Sequence, residues 1–284
     1  MQLPRVAEVA RREYPRVDKD ETLEEAWDVI EREEYDKLLA FEDERLVGVM
    51  TLRDVMVKLG TQRTRLTVPG RLHVSSFMST EPLYTISPGA SVVDAARMML
   101  ENRVQVGTLE ASIGVLPVVE GGSVAGVVSK WELARFIAES GIDAKASDVM
   151  TVKPFVLRWM DKVLHARKLM EENDISFIPV VDEEERLVGY ITVYEVAYAM
   201  MAFHELVPEK HRKIRVQHLL VHDVMRLRPP RVEPETPLPE VARAILEKQS
   251  RGAVVVKDGR IVGIVTLDEI AKFIAYTLPE RLGK

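Results

Sequence analysis

The sequence predicts an α+β protein made of four copies of one β-α-β-β-α unit, paired into two modules. Three observations carry that expectation. First, the segment Arg186-Leu-Val-Gly-Tyr-Ile-Thr-Val-Tyr-Glu195 recurs in altered form at residues 45–54, 123–132 and 260–269. Each copy has a Gly followed three residues later by Ser or Thr and six later by a carboxylate. The Val- and Ile-rich run around the Gly reads as a short buried strand. The hydroxyl has the character of an N-cap, and the acid three residues on completes a capping box. Second, the heads at 75–82, 147–154 and 222–229 each carry a Pro four residues after a Met, which fits extended chain after a short helical turn. Third, Met150 to Gly189 and Met225 to Gly263 are nearly equal spans, 39 and 38 residues. A fixed period of this kind marks a repeat architecture.

The first copy begins near Val6 and lacks the Met. Within 22–31, Leu23, Ala26, Trp27 and Ile30 stand at helical spacing. Residues 37–41 read as a strand, 42–45 as a hairpin turn, 46–50 as a strand and 51–59 as a helix. Later copies repeat this order, with helices over 92–101, 162–172 and 240–248 and strands over 116–119, 178–181 and 253–256. Met78 to Gly126 spans 48 residues, so the second copy carries an insertion around 104–113. Polar, basic-rich joins lie at 60–72 and 203–219, whereas only 138–146, around Gly141, parts copies two and three. That spacing pairs one with two and three with four. The expected repeats are 1–60, 72–140, 144–203 and 219–279, in modules 1–140 and 141–284. A single copy holds too little core to stand alone, so the pair is the expected folding unit.

Composition bounds the function. The 284 residues are 46% hydrophobic and 30% charged, which allows real cores. A net charge of −6 gives no general attraction to nucleic acid or anionic membranes. The chain has no apolar run of membrane-spanning length and no apolar N-terminal signal segment, so a cytoplasmic location is expected. The absence of Cys excludes disulfides, zinc thiolates and a Cys nucleophile. No Walker loop, Gly-x-Ser-x-Gly or His-Glu-x-x-His occurs, and the chain is expected not to be an enzyme. Of the linker histidines His204, His211, His218 and His222, the spacing puts His218 and His222 on one helical face. With no carboxylate in register and no Cys, a metal site is not expected. The basic stretch 210–215 reads as a solvated linker, and the Met-rich run 198–203 as a helix face at a module interface.

Heads ending in Val-Met, the Ile-Pro-Val-Val strand, the Val-Gly-Tyr-Ile-Thr segment and the acid after it together resemble cystathionine beta-synthase (CBS) domains in tandem. The resemblance covers nearly the whole chain. It implies two Bateman modules, each joined through its sheets, which can form a flat disc similar to the gamma regulatory subunit of AMP-activated protein kinase. It also implies a sensor of AMP, ADP or ATP, or of S-adenosylmethionine as in some members, with no required cofactor. Such a sensor signals to a separate regulated protein or acts as a homodimer.

By the same resemblance the hydroxyl lies near ligand phosphate or ribose and the acid holds the ribose hydroxyls. Those pairs are Thr51 with Asp54, Ser129 with Glu132, Thr192 with Glu195 and Thr266 with Glu269. Positions before the Pro-Val-Val strand often contact phosphate. They are Lys37, Ser176 and Arg251, while Gly114 and Val115 in copy two bring no charge. Arg53 and Lys130, opening the last helices, are further phosphate candidates. The alternatives stay beside these readings. Thr-x-x-Glu is also how a helix caps itself, and Glu is the better cap. The family's ribose ligand is usually Asp, which only Asp54 supplies, so the first-copy site is the expected nucleotide site. Arg251 reads equally as a solvated surface residue, Lys37 as a surface partner of Asp36 or the preceding glutamates, and Ser176 as a small polar filler. A structural interaction module with decayed sites is the competing reading.

Overall fold

The computed structural model describes residues 3–59, 69–206 and 218–283, with backbone alone for 203–206. The side chains of His204 and His211 and the basic stretch 210–215 lie outside the described residues.

Repeat one runs α1 (Val6–Val9), β1 (Arg16–Asp18), α2 (Leu23–Glu33), β2 (Lys37–Glu42), β3 (Arg45–Thr51) and α3 (Leu52–Lys58). α2 forms because Leu23, Ala26, Trp27 and Ile30 make one buried stripe. Thr22 and Glu25 cap its start reciprocally, with Thr22 N–H donating to Glu25 Oε2 at 2.8 Å and Glu25 N–H to Thr22 Oγ1 at 3.2 Å. It ends at Glu34, which turns left-handed at φ 49°. β2 pairs antiparallel with β3 and parallel with β1.

Repeat two opens on a 3₁₀ turn (Val74–Ser76), followed by α4 (Val92–Glu101), a hairpin β4 (Arg103–Val106) and β5 (Leu109–Ser112), then β6 (Val115–Glu120), β7 (Ser123–Ser129) and α5 (Lys130–Glu139). The extra length of copy two is this β4–β5 hairpin. Repeat three comprises α6 (Ala146–Val149), β8 (Thr151–Val152), β9 (Leu157–Arg158), α7 (Val163–Asn173), β10 (Phe177–Val181), β11 (Leu187–Thr192) and α8 (Val193–Leu206). Repeat four comprises α9 (Val221–Val224), β12 (Arg226–Leu227), β13 (Arg231–Val232), α10 (Leu238–Lys248), β14 (Gly252–Lys257), β15 (Arg260–Thr266) and α11 (Leu267–Lys272), which continues through a π turn into α12 (Leu278–Leu282).

No repeat completes its own sheet. The head of each copy adds the edge to its partner's sheet. Ser79 of repeat two bridges Val49 in β3, and Arg11 of repeat one bridges Val127 in β7, each through paired backbone hydrogen bonds of 2.8–3.0 Å. In the second module β8 pairs with β15 and β12 with β11. The recurrent Gly is the price of this exchange. A Cβ on Gly126 would lie 2.7 Å from the Arg11 carbonyl, and one on Gly189 2.7 Å from the Arg226 carbonyl. At Gly48 and Gly263 the intruder is the head Met, Met78 Sδ at 2.7 Å and Met150 Sδ at 2.8 Å. The head Met and the strand Gly are thus two halves of one contact between copies.

Among the described residues four apolar clusters result. Tyr35, Leu39, Phe41, Val115 and Val127 join the sheets of repeats one and two. Phe177, Tyr190, Val254 and Ile264 join those of three and four, with the Phe177 and Tyr190 rings stacked at 5.4 Å. The helices then join the modules. Repeats one and three share one core that includes Leu23, Met56, Met170 and Val196, and repeats two and four share another that includes Leu133, Ile137, Leu238 and Ile270. Met200 and Met201 are buried in the former, while Tyr198 on the same helix is 47% exposed. One histidine expectation needs correction. α9 begins only at Val221, so His218 precedes it and does not share a helical face with His222. Among the described residues no group of three His, Asp or Glu side chains could hold a metal ion, and no helix is long and apolar enough to cross a membrane.

Candidate functional site

One cleft gathers seven of the residues singled out by sequence. Lys37, Thr51, Arg53, Asp54, Lys130, Ser176 and Arg251 all line it, although they come from all four repeats. The strand-to-helix turn after β3 supplies Thr51, Arg53 and Asp54. The starts of β2, α5 and β14 bring in Lys37, Lys130 and Arg251.

At one end the walls are apolar, including Val49, Pro82, Tyr84, Val104 and Ile113. In the middle, Asp54 Oδ2 accepts from Thr51 N–H at 2.8 Å and Thr51 Oγ1–H at 2.7 Å, and Oδ1 accepts from Ser79 Oγ–H at 3.2 Å. Burial pushes the Asp54 carboxyl above its ordinary range, opposed by Lys58 and the Thr51 hydrogen bonds. This corrects the simple division of roles between Asp and Glu. Asp54 caps its helix as the glutamates do, because the short side chain still reaches Thr51 N–H.

The other end is cationic. Lys37 is buried, its Nζ 2.8 Å from Asp36 Oδ2, and Arg251 pairs with the same carboxylate, which also accepts from Trp131 Nε1–H at 3.3 Å. Neither basic residue sits at the surface, with Lys37 and Arg251 exposed by only 7% and 8%. Burial first, then the neighbouring Lys130 and Arg53 cations, push the Lys37 ammonium down to about 7, and burial lowers Arg251 to about 10. Gly114 is where Lys37 crosses, since a Cβ there would meet Lys37 Cε at 3.3 Å. The uncharged position of copy two therefore makes room for the lysine of copy one. Lys130 pairs with Asp268 and donates to Ser112 Oγ at 3.2 Å. Burial works to raise the Asp268 carboxyl, but Lys130 and Arg53 hold it below its ordinary value. Arg53 lies 3.2 Å from Asp174 Oδ1. Four cations thus face three carboxylates.

The three glutamates sit differently. Glu195 Oε2 accepts from Thr192 N–H at 2.8 Å and Thr192 Oγ1–H at 2.6 Å, and its other oxygen pairs with Arg226 at 3.0 Å. Glu269 caps Thr266 and takes Thr151 Oγ1–H at 3.0 Å and Lys272 at 3.2 Å. Glu132 caps Ser129 and accepts from Tyr35 Oη–H at 3.1 Å, while its Oε1 is buried without a hydrogen-bond partner. Glu132 and Glu195 share a cleft in which Arg11 lies over the Tyr35 ring at 4.6 Å and Arg226 over Tyr194 at 5.9 Å. Glu269 and Thr266 line a third, with Lys153, Phe155 and Tyr276. Resident cations of the same chain pair with two of the three glutamates, Arg226 with Glu195 and Lys272 with Glu269.

Sequence reasoning named Asp36 only as a surface partner of Lys37 and missed Asp174, Asp268, Tyr84 and the hairpin as a wall. Only Asp36 left a signal, as a carboxylate beside a lysine at the start of a buried strand. The others meet the cleft through contacts between repeats.

The sequence model of the CBS domain matches residues 6–60, 74–139, 146–202 and 221–276. A solved protein of Methanocaldococcus jannaschii, put forward as an archaeal homolog of g-AMPK, superposes with a TM-score of 0.75 over 95% of this chain and 100% of its own, at 18% identity. An uncharacterized conserved protein from Pyrococcus horikoshii gives 0.62 over 95% and 99%, at 14% identity. These likenesses bear on the fold alone. Among curated proteins, the homoserine O-acetyltransferase of Methanococcoides burtonii is 34% identical over 113 residues, 39% of this chain and 21% of that protein. An uncharacterized protein of Methanocaldococcus jannaschii is 29% identical over 180 residues, 59% of this chain and 41% of its own length. The chain therefore spans less than half the length of either curated relative.

Proposed function

We infer the function from one premise: the chain belongs to the CBS domain family, whose model matches it four times over most of its length. The chain is a regulatory adenosine-nucleotide sensor whose ligand occupies the first-module cleft and alters the packing read by a separate protein or by a second copy. The observation that supports this reading is the order of chemistry along the cleft. Apolar walls at Val49, Pro82, Tyr84 and Ile113 suit a purine, Thr51, Asp54 and Ser79 suit a ribose, and Lys37, Arg53, Lys130 and Arg251 suit phosphate. A cationic end favours AMP, ADP or ATP over the sulfonium of S-adenosylmethionine.

Signalling by such a sensor requires differential affinity between two arrangements of the modules. Isothermal titration with AMP, ADP, ATP and S-adenosylmethionine tests the proposal. Binding of one or more nucleotides at one site per chain is expected, and no heat with any of the four overturns it. The self-satisfied glutamate clefts support a second reading, a structural interaction module. It predicts no nucleotide-dependent thermal shift at all.

A further inference from the structure

The free space in the first-module cleft is about 90 Å³, well below the roughly 300 Å³ at which small-molecule pockets begin. A nucleotide must therefore move something, and the movable wall is the β4–β5 hairpin, which contributes Val104, Val106 and Ala111 to the cleft. Among the described residues this hairpin belongs to copy two alone. It is fastened at its end by a residue of the other module. Asp174 Oδ2 accepts from Ser112 N–H at 2.9 Å and faces Arg103 Nη1 at 3.5 Å. Its Oδ1 is buried with no aligned hydrogen-bond donor and holds Arg53 as an ion pair at 3.2 Å.

Asp174 is the left-handed C-cap of α7, at φ 51°. Arg53 reaches the same helix end, donating to the Met170 carbonyl at 3.2 Å and the Ile175 carbonyl at 3.3 Å. A cation at a helix C-terminus is favourable, so this docking is stable while no anion competes. A phosphate that draws Arg53 away removes the partner of Asp174 Oδ1 and two carbonyl links at the end of α7. The same event loosens the Ser112 and Arg103 fastening, because one carboxylate serves both.

We propose that Asp174 is a positioning residue that latches the β4–β5 hairpin over the first-module cleft and reports occupancy of that cleft to the second module. The ligand half of this proposal rests on the nucleotide reading, and the latch half does not. Asp174→Asn removes the charge and keeps a residue that tolerates the left-handed conformation.

In the protein without ligand, hydrogen exchange of the 103–112 amides is expected to rise about tenfold or more in Asp174→Asn, the worth of a charged hydrogen bond. Exchange in α5 and α10 should stay as in the wild type. Unchanged exchange in the hairpin overturns the latch. In the wild type, saturating AMP is expected to alter exchange at 173–176, across the module boundary, and by reciprocity AMP should bind Asp174→Asn about tenfold more tightly. AMP binding without either effect overturns the report to the second module. If the wild type binds no AMP, the nucleotide reading fails while the ligand-free exchange still decides the latch.

Discussion

The first-module cleft and the clefts around the glutamates start from the same repeated segment and end in different chemistry. Around Asp54 the carboxylate is held by groups of its own turn, by Ser79 and by Lys58 at 3.6 Å, while Lys37, Arg53, Lys130 and Arg251 stand apart at the far end. Around Glu195 and Glu269 the extra methylene carries the second oxygen onto a resident cation, Arg226 or Lys272. All three acids meet a resident cation, and what sets the first cleft apart is the cluster of further cations at its far end. The repeat supplies the scaffold, and the side chains arriving from other repeats decide its use.

The sharpest way to break that contrast is to delete the acids in turn. Asp54→Ala is expected to weaken AMP binding about 30-fold or more, the loss of charged hydrogen bonds worth roughly 2 kcal/mol. Glu195→Ala and Glu269→Ala should leave the affinity within about twofold. A larger effect at either glutamate, measured by titration on protein of intact circular dichroism, would reverse the ranking of clefts.

Next in size is a pH effect. The folded-state Lys37 titrates at about 7, below its ordinary 10.5. Between those values the unfolded lysine is charged and the folded one neutral. Its destabilising contribution therefore grows as pH falls from 10.5 towards 7 and is constant below, so stability from this group rises with pH in that window. Phosphate needs the ammonium, so AMP affinity should fall towards tenfold per pH unit above pH 7, with proton uptake on binding. Titrations in buffers of different ionisation enthalpy read the uptake, and Lys37→Arg should abolish the slope. A flat profile in the wild type would remove Lys37 from the phosphate end.

A smaller effect falls outside the first cleft. Arg226→Ala leaves the buried Glu195 without its cation and should cost about 1–2 kcal/mol in urea unfolding, less than a fully buried pair because Arg226 is 41% exposed. AMP affinity should not change, and a loss of affinity would join the two regions the contrast keeps apart. Smallest is Tyr35→Phe, which removes a donor to Glu132 and should cost about 1 kcal/mol with nucleotide binding intact.

Much of the fold was legible because local signals repeat. The capped helices, the strand pairs and the position of the extra hairpin all follow from patterns within one copy. What stayed hidden depends on contacts between copies. The recurrent Gly reads locally as part of a buried strand, yet its reason is a backbone from another repeat, such as Arg11 against Gly126. Lys37 and Arg251 read equally well as surface residues, because their shared partner Asp36 becomes buried only when repeats one, two and four meet. The capping role of Asp54 was underrated by weighing residue type without the geometry of the turn.

The exchanged heads carry a consequence for how such a chain can change length. A copy that closes its neighbour's sheet is not a self-contained bead. Removing residues 3–12 would leave β7 bare more than a hundred positions away, along with the groove at Gly126 that Arg11 fills. An unpaired strand edge invites association with other chains. An odd copy would leave such an edge open, so this arrangement favours copies that come in pairs.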